Sequence, residues 1–398
     1  MKIAIVSDLH IGYERFADDA ISQAREALEM ANRMADAVIL PGDIFDRRAP
    51  KPEVIAQAIN LFRETSSMRW NARVSEFRSA RASFTKAPVV AISGTHERTA
   101  EGKDNPLNLL GLAGLLVDTS ESTTIIEKGD ERVAVYGLGG ISEERVKETL
   151  ARLDPKPVDG LFSIFMFHQS VHEILPFSDE FIHYSDLPKG FDLYVCGHIH
   201  SIVRATVHGK PFIIPGSTVL TQLKDGEQEP KGFMILDTES KSCDFVAINS
   251  RKMFVEELNF VDAEPGTVKR ACDDAIESVL AKEGGRPIIR LKLSGSIAGG
   301  FDSADLPLQA VLMRHSKSAI IDIDSSRLKS RDVEKGIEEV RENRTGGASV
   351  KELGMRMLGD RLREYGFDGR INPGELFHAL ASAKKEKALE QALELLER

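Results

Sequence analysis

The sequence predicts an α/β protein: a strand-and-helix body over residues 1–250, a smaller α/β region over 251–341 and a helical segment over 350–398. Three observations carry this. Short apolar runs recur, each ending near a polar, Gly or His residue; stretches of helical period separate the first of them; and the texture changes near residue 250. At 398 residues the chain suits two domains or three small ones, since one core seldom grows past roughly 250–300 residues.

Ile3–Val6, Ala37–Leu40, Val89–Ser93, Val133–Tyr136, Phe162–Phe167 and Leu193–Cys196 read as buried strands. Phe16, Ile21, Ala24, Leu28 and Ala31 mark a helix after the first run, and Ile55, Ala58, Ile59 and Phe62 a second after the next. Phe212–Ile214, Phe233–Leu236 and Phe245–Ile248 follow without long helices between them, which predicts an antiparallel continuation of the sheet. Past residue 250, Val268, Ala271, Ala275, Ile276 and Val279 outline a helix, and Ile289, Leu291 and Leu293 alternate with Arg290 and Lys292 as a half-buried strand. Leu308–Met313 and Ile320–Ile323 repeat that pair. Residues 342–349 have linker composition. Asn372-Pro373-Gly374-Glu375 is a helix start, with Asn as the cap and Pro at the first position. Leu376, Leu380, Leu389, Leu393 and Leu396 line one face beyond it.

Hydrophobic residues make up 42% and charged residues 29%, which sets the chain with ordinary globular proteins rather than disordered ones. No apolar run approaches the roughly 20 residues of a membrane helix, and Met1 leads almost directly into a strand, so neither a span nor a leader is expected. Cys196, Cys243 and Cys272 are scattered, which argues against a disulfide framework or zinc knuckle; the expected setting is the cytoplasm. A net charge of −10 is the wrong sign for a phosphate-binding surface and supplies no argument for nucleic acid. Locally, residues 63–86 carry six Arg or Lys against two acids, with Trp70 among them.

Five short motifs place metal-ligand side chains at strand ends. In Asp8-Leu9-His10 the two side chains lie two residues apart and point the same way in extended chain, so carboxylate and imidazole can share an ion. Gly42-Asp43-Ile44-Phe45-Asp46 follows the second run, and Gly94-Thr95-His96-Glu97-Arg98 the third. His168 closes the Phe162–Phe167 run, and Gly197-His198-Ile199-His200 follows the last. Each motif alone is more often a turn or a satisfied histidine. Together, at the strand ends where open α/β sheets hold ligands, they point to a metal centre. Mixed imidazole and carboxylate donors suit Mn, Fe or Zn over Ca or Mg.

The order Asp-x-His, Gly-Asp-x-x-Asp, Gly-x-His-acid, lone His and Gly-His-x-His resembles that of the calcineurin-like metallophosphoesterases. The resemblance implies a four-layer α/β/β/α sandwich holding two divalent ions, Mn2+ first among them. Asp8, His10 and His200 would hold one ion, His168 and His198 the other, with Asp43 bridging. His96 would stabilise the phosphorane and protonate the leaving oxygen, oriented by Asp46, in a metal-dependent phosphodiesterase. One position departs from the family. Thr95 stands where the family has Asn as a ligand of the second ion, which leaves open a weaker second metal or a catalytically impaired scaffold subunit.

Ser7-Asp8-Leu9-His10-Ile11-Gly12, Asp186-Leu187-Pro188-Lys189-Gly190-Phe191-Asp192 and Ile214-Pro215-Gly216-Ser217 are similar to the nuclease subunits of double-strand-break repair complexes. That resemblance implies a Mn-dependent 3′-to-5′ exonuclease and single-strand endonuclease, with Arg98 where archaeal members place a basic residue on DNA. It also implies a homodimer, for which Ile55, Ile59 and Phe62 offer an apolar stripe, and a capping domain at 251–341. Leu376, Leu380, Leu389 and Leu393 would then dock an SMC-like, Rad-fifty-type coiled-coil ATPase, and in a prokaryote the setting becomes the nucleoid. Within the basic stretch, Arg69 and Arg73 are the expected DNA-backbone contacts. A small-molecule or cyclic-nucleotide phosphodiesterase is the alternative on the same metal motifs.

Overall fold

The structure, a computed structural model, describes residues 1–77, 87–98, 104–223, 228–330, 350–364, 366 and 372–382. The chain divides into two compact units, Met1–Phe254 and Val255–Arg398.

In the first unit one sheet runs parallel through β1 (Lys2–Ile5), β2 (Ala37–Leu40), β4 (Val89–Ala91) and β5 (Val117–Asp118). β12 (Gly232–Asp237) and β13 (Ser242–Ala247) extend it antiparallel from β1. The other sheet is ordered β10-β11-β9-β8-β7-β6-β3. Its parallel centre is β7 (Glu131–Leu138), β8 (Phe162–Phe167), β9 (Leu193–Cys196) and β11 (Lys210–Ile214), flanked by antiparallel β10 (Val203–Val207), β6 (Ser122–Lys128) and β3 (Arg73–Phe77).

The side-chain alternation of β1 explains the layering. Ile3 and Ile5 join Val133, Val135, Ile164, Met166, Leu193 and Val195 in the core between the sheets. Ala4 and Val6 face the other way, onto α1 (Ala17–Met34), α2 (Pro52–Ser67) and α3 (Pro106–Leu112). On the far side of the second sheet, Phe165, Phe167, Tyr194 and Phe212 pack with Val146 and Leu150 of α4 (Glu143–Leu153). Strands buried on both faces must be apolar throughout, which is why they read as unbroken runs. The arrangement is the four-layer sandwich.

Two expectations change. The antiparallel continuation holds for β12 and β13, but β11 lies parallel to β9 in the second sheet, because the β10–β11 hairpin reverses the chain once more. The basic stretch divides: Arg63 lies within α2, Arg73 opens edge strand β3, and residues 78–86 lie outside those described. Trp70 packs against the helix-side core and donates Nε1–H to the Thr65 carbonyl at 3.1 Å. Phe62 is fully buried in that core, so it is taken from the dimer stripe; Ile55 and Ile59 stay half-buried.

In the second unit a sheet of β14 (Met253–Ala263), β15 (Ile288–Ile297) and β16 (Ile320–Ser330) is linked through α5 (Pro265–Leu280) and α6 (Leu308–His315). Buried Asp273 ties the two helices by accepting from Lys269 at 2.7 Å, Arg314 at 2.8 Å and His315 at 2.9 Å. α7 (Val350–Glu364) and α8 (Pro373–Ser382) pack on each other, and Asn372 Oδ1 caps α8 by accepting from Gly374 N at 2.9 Å. Leu376 is buried against Leu358 and Leu362, so it serves this helix pair, whereas Leu380 is 50% exposed. Leu389, Leu393, Leu396 and the linker 342–349 lie outside the described residues. Among those described, no helix is long and apolar enough to cross a membrane.

Asp36, buried at the base of the sandwich, accepts from Lys2 N at 2.9 Å in the first sheet and from Lys128 Nζ at 3.0 Å in the second. It pins one layer to the other at the edge opposite the metal motifs. Asp36→Asn is expected to lower the unfolding free energy by about 1–3 kcal/mol, read by urea denaturation with an unchanged slope.

Candidate metal centre

All five motifs sit in loops after the C-terminal ends of β1, β2, β4, β8 and β9, and the facing sheets bring those ends together. Backbone hydrogen bonds zip the first two loops: Asp8 N to Gly42 O at 3.3 Å, His10 N to Asp43 O at 3.0 Å and Ile11 N to Ile44 O at 2.8 Å. Asp8, His10, Asp43 and His198 adopt left-handed backbone, with φ of 52°, 44°, 49° and 78°. Non-glycine residues hold that conformation only when their surroundings over-determine it, and such strain gathers at functional sites.

Two triads result. In the first, His10 Nε2 and His200 Nε2 are 3.1 Å apart, and Asp8 Oδ1 lies 3.7 Å from His200 Nε2 and 4.0 Å from His10 Nε2. In the second, His168 Nε2 faces Asp43 Oδ2 at 3.1 Å, and the His168 and His198 rings stand 5.3 Å apart. Thr95 Oγ1 lies 3.4 Å from His198 Nδ1, so the departing residue borders the second triad. The structure places Asp43 in that triad; its bridging role is proposed below.

These side chains fit divalent ions. His168 Nδ1 donates to the Pro41 carbonyl at 2.7 Å, which turns Nε2 toward Asp43, yet buried Nε2 makes no hydrogen bond of its own. Ligands bonded to one ion at roughly 2.1 Å lie about 3 Å apart, and both the His10–His200 and His168–Asp43 separations match that spacing. Burial and neighbouring charges pull these groups in different directions. Burial pushes Asp8 up to about 6. Burial works against the His168 imidazolium, but the Asp43 carboxylate outweighs it and lifts His168 to about 10. Burial likewise opposes the Asp43 anion, yet His168 and its neighbours hold that carboxyl far below the usual range. Burial also keeps His198 neutral, with its pKa pushed down to about 4.

His96 forms a third cluster with His10 and Asp46, sharing His10 with the first triad; its side chain is 42% exposed and lies 3.9 Å from Asp43 Oδ2. Asp46 meets it through backbone: the Asp46 carbonyl contacts His96 Nδ1, while the carboxylate lies 3.4 Å from His10 Nδ1. Arg98 is half-buried two residues beyond His96. Arg69 and Arg73 do not join the site. Asn32 Nδ2 donates to the Arg69 carbonyl at 2.9 Å, and Arg73 Nε donates to Glu127 at 2.6 Å, both near the strand starts that Asp36 pins.

Sequence reasoning missed the supporting side chains. Fully buried Glu97 accepts from Phe45 N at 2.6 Å and Gly94 N at 2.7 Å, clamping two motif loops together; burial raises its carboxyl to about 7. Ser170 Oγ lies 3.0 Å from His198 Nε2, Ser7 bonds Asp8, and Thr221 bonds His200 Nδ1. Ser7, Glu97 and Ser170 neighbour their motifs in sequence, which was the available signal. Thr221 left none.

Residues 1–201 match the family model for calcineurin-like phosphoesterases, and the chain belongs to that family of metal-dependent phosphoesterases. Among curated relatives it is similar to a DNA double-strand break repair protein Mre11 of Sulfolobus acidocaldarius, 26% identical over 355 residues, covering 83% of this chain and 86% of that one. It is also similar to a double-strand break repair protein MRE11 of Encephalitozoon cuniculi, 32% identical over 264 residues. That match covers 59% of this chain and 45% of the relative, so the chain spans less than half of the longer protein. An Mre11 of Methanopyrus kandleri is 26% identical over 72% of this chain and 65% of its own.

Gly94 packs so tightly on Asp43 that a Cβ there would overlap both its carboxylate and its backbone nitrogen. Gly94→Ala is expected to leave the chain folded but weaken divalent-ion binding roughly 10–100-fold, measured by calorimetric titration with Mn2+.

Proposed function

We propose that this protein is the DNA nuclease of a double-strand-break repair complex, acting on strand ends as a metal-dependent phosphodiesterase. One observation carries the reading: a double-strand-break repair relative aligns over 83% of this chain and 86% of its own length. Asp8, His10 and His200 would hold one ion and His168, His198 and Thr95 the other, Asp43 would serve both, and Mn2+ would suit the donor set. Bound divalent ions supply Lewis-acid charge to the phosphate oxygens and acidify water. His96, exposed at the mouth and held by the Asp46 carbonyl, stabilises the phosphorane and protonates the leaving oxygen. The work is 3′-to-5′ degradation of duplex ends and internal cutting of single strands.

The β14–β16 region caps the substrate, and the helical segment from residue 350, with Leu380 exposed, docks an SMC-like, Rad-fifty-type ATPase; Leu389 and Leu393 extend that assignment. The protein works as a homodimer on DNA in the cytoplasm or nucleoid. Arg98 contacts DNA beside His96, and Arg69 and Arg73 reach backbone further along. A small-molecule phosphodiesterase would share the metal centre but has no use for either added region.

Cleavage of an end-labelled duplex with Mn2+, set against bis-p-nitrophenyl phosphate and cyclic nucleotides, tests the reading. His96→Ala is expected to keep its metal content and lose roughly 10²–10⁴-fold in turnover; loss of metal and turnover together removes His96 from the chemistry. Thr95→Asn is expected to tighten the weaker ion about tenfold, and calorimetry showing unchanged affinity disposes of the weak-site idea.

A further inference from the structure

We infer that Arg47 and Arg48 form a phosphate-gripping lip beside His96, holding the DNA backbone next to the scissile link; this rests on the nuclease reading above. The triads are buried and His96 is the exposed imidazole, so substrate meets the centre at His96. Asp46 touches His96 with its carbonyl and His10 with its carboxylate, and the next two residues, Arg47 and Arg48, are both exposed. Lys51 follows at the start of α2, and Arg98 leaves His96 along the other loop. The mouth is therefore flanked by cations although the whole chain carries −10.

One acid holds this group in place. Glu14 pairs with Arg47 at 3.0 Å and with Lys51 at 3.4 Å, while Arg48 makes no ion pair among the described residues. Guanidinium groups grip phosphate in a planar, two-point fashion that lysine cannot match. Arg69, in contrast, lies past the far end of α2, a 16-residue helix about 24 Å long.

The test is fluorescence anisotropy of the full chain on a labelled duplex in EDTA, which prevents cutting, across a salt series. Replacing both arginines (Arg47→Ala with Arg48→Ala) is expected to weaken binding roughly tenfold or more and to reduce the slope of log Kd against log salt by about two. Glu14→Gln is expected to tighten binding roughly threefold by removing the competing carboxylate, a gain that misfolding does not produce. Wild-type affinity and slope in the double variant, or no gain from Glu14→Gln, overturns the lip. Wild-type protein that binds no duplex overturns the nuclease reading itself, and this inference with it.

Discussion

The buried carboxylate of Asp43 is where the two sheets are fastened at the site. Its Oδ1 accepts the His96 N–H at 2.8 Å, which fixes the third loop of the first sheet. Its Oδ2 faces His168, carried on the second sheet. Gly42 and Gly94 leave room for this approach: a Cβ on Gly42 would meet His168 Nδ1 at 2.5 Å, and Gly42 also needs its φ of +98°. This one anion thus acts beside the Ser7–Ser217 backbone bridge and the Gly140 N to Ser93 O bond in joining the two layers at the site.

That fastening explains why the ligand loops tolerate strain. A left-handed non-glycine residue costs on the order of 1 kcal/mol or more, and four of the site residues adopt one. The cost is offset by a frame that does not yield: strands apolar on both faces below, and Glu97 and the Asp8–Gly42 and His10–Asp43 backbone bonds above. Buried His168 and Asp43 face one another at 3.1 Å, each favouring the charged form of the other against the cost of burial. Rigidity and charge demand are two sides of one construction.

Net charge describes this protein poorly because recognition responds to the local potential over a few ångströms, screened beyond about 10 Å. Acids elsewhere are paired: Asp19 with Arg251, Asp36 with Lys128, and Asp273 with Lys269 and Arg314 of its own unit. Near His96, Glu14 is likewise paired, with Arg47 and Lys51.

The sequence by itself determined the strands of the inner layers, the helices over them and the candidate metal-binding side chains at the strand ends. Burial on both faces forces unbroken apolar runs such as Phe162–Phe167, and ligands after parallel strands must follow those runs directly. What only the tertiary structure decided depends on meetings between distant segments. It assigned β11 to the second sheet, buried Phe62, gave Asp46's backbone rather than its carboxylate to His96, and brought Thr221 to His200. Short edge strands such as β3 and β10 escaped notice because they are only five residues long, and in β10 just Val203, Ala205 and Val207 alternate with polar neighbours. Periodicity records which face a residue turns inward; it does not record what stands opposite, and at a metal centre the opposite partner is the chemistry.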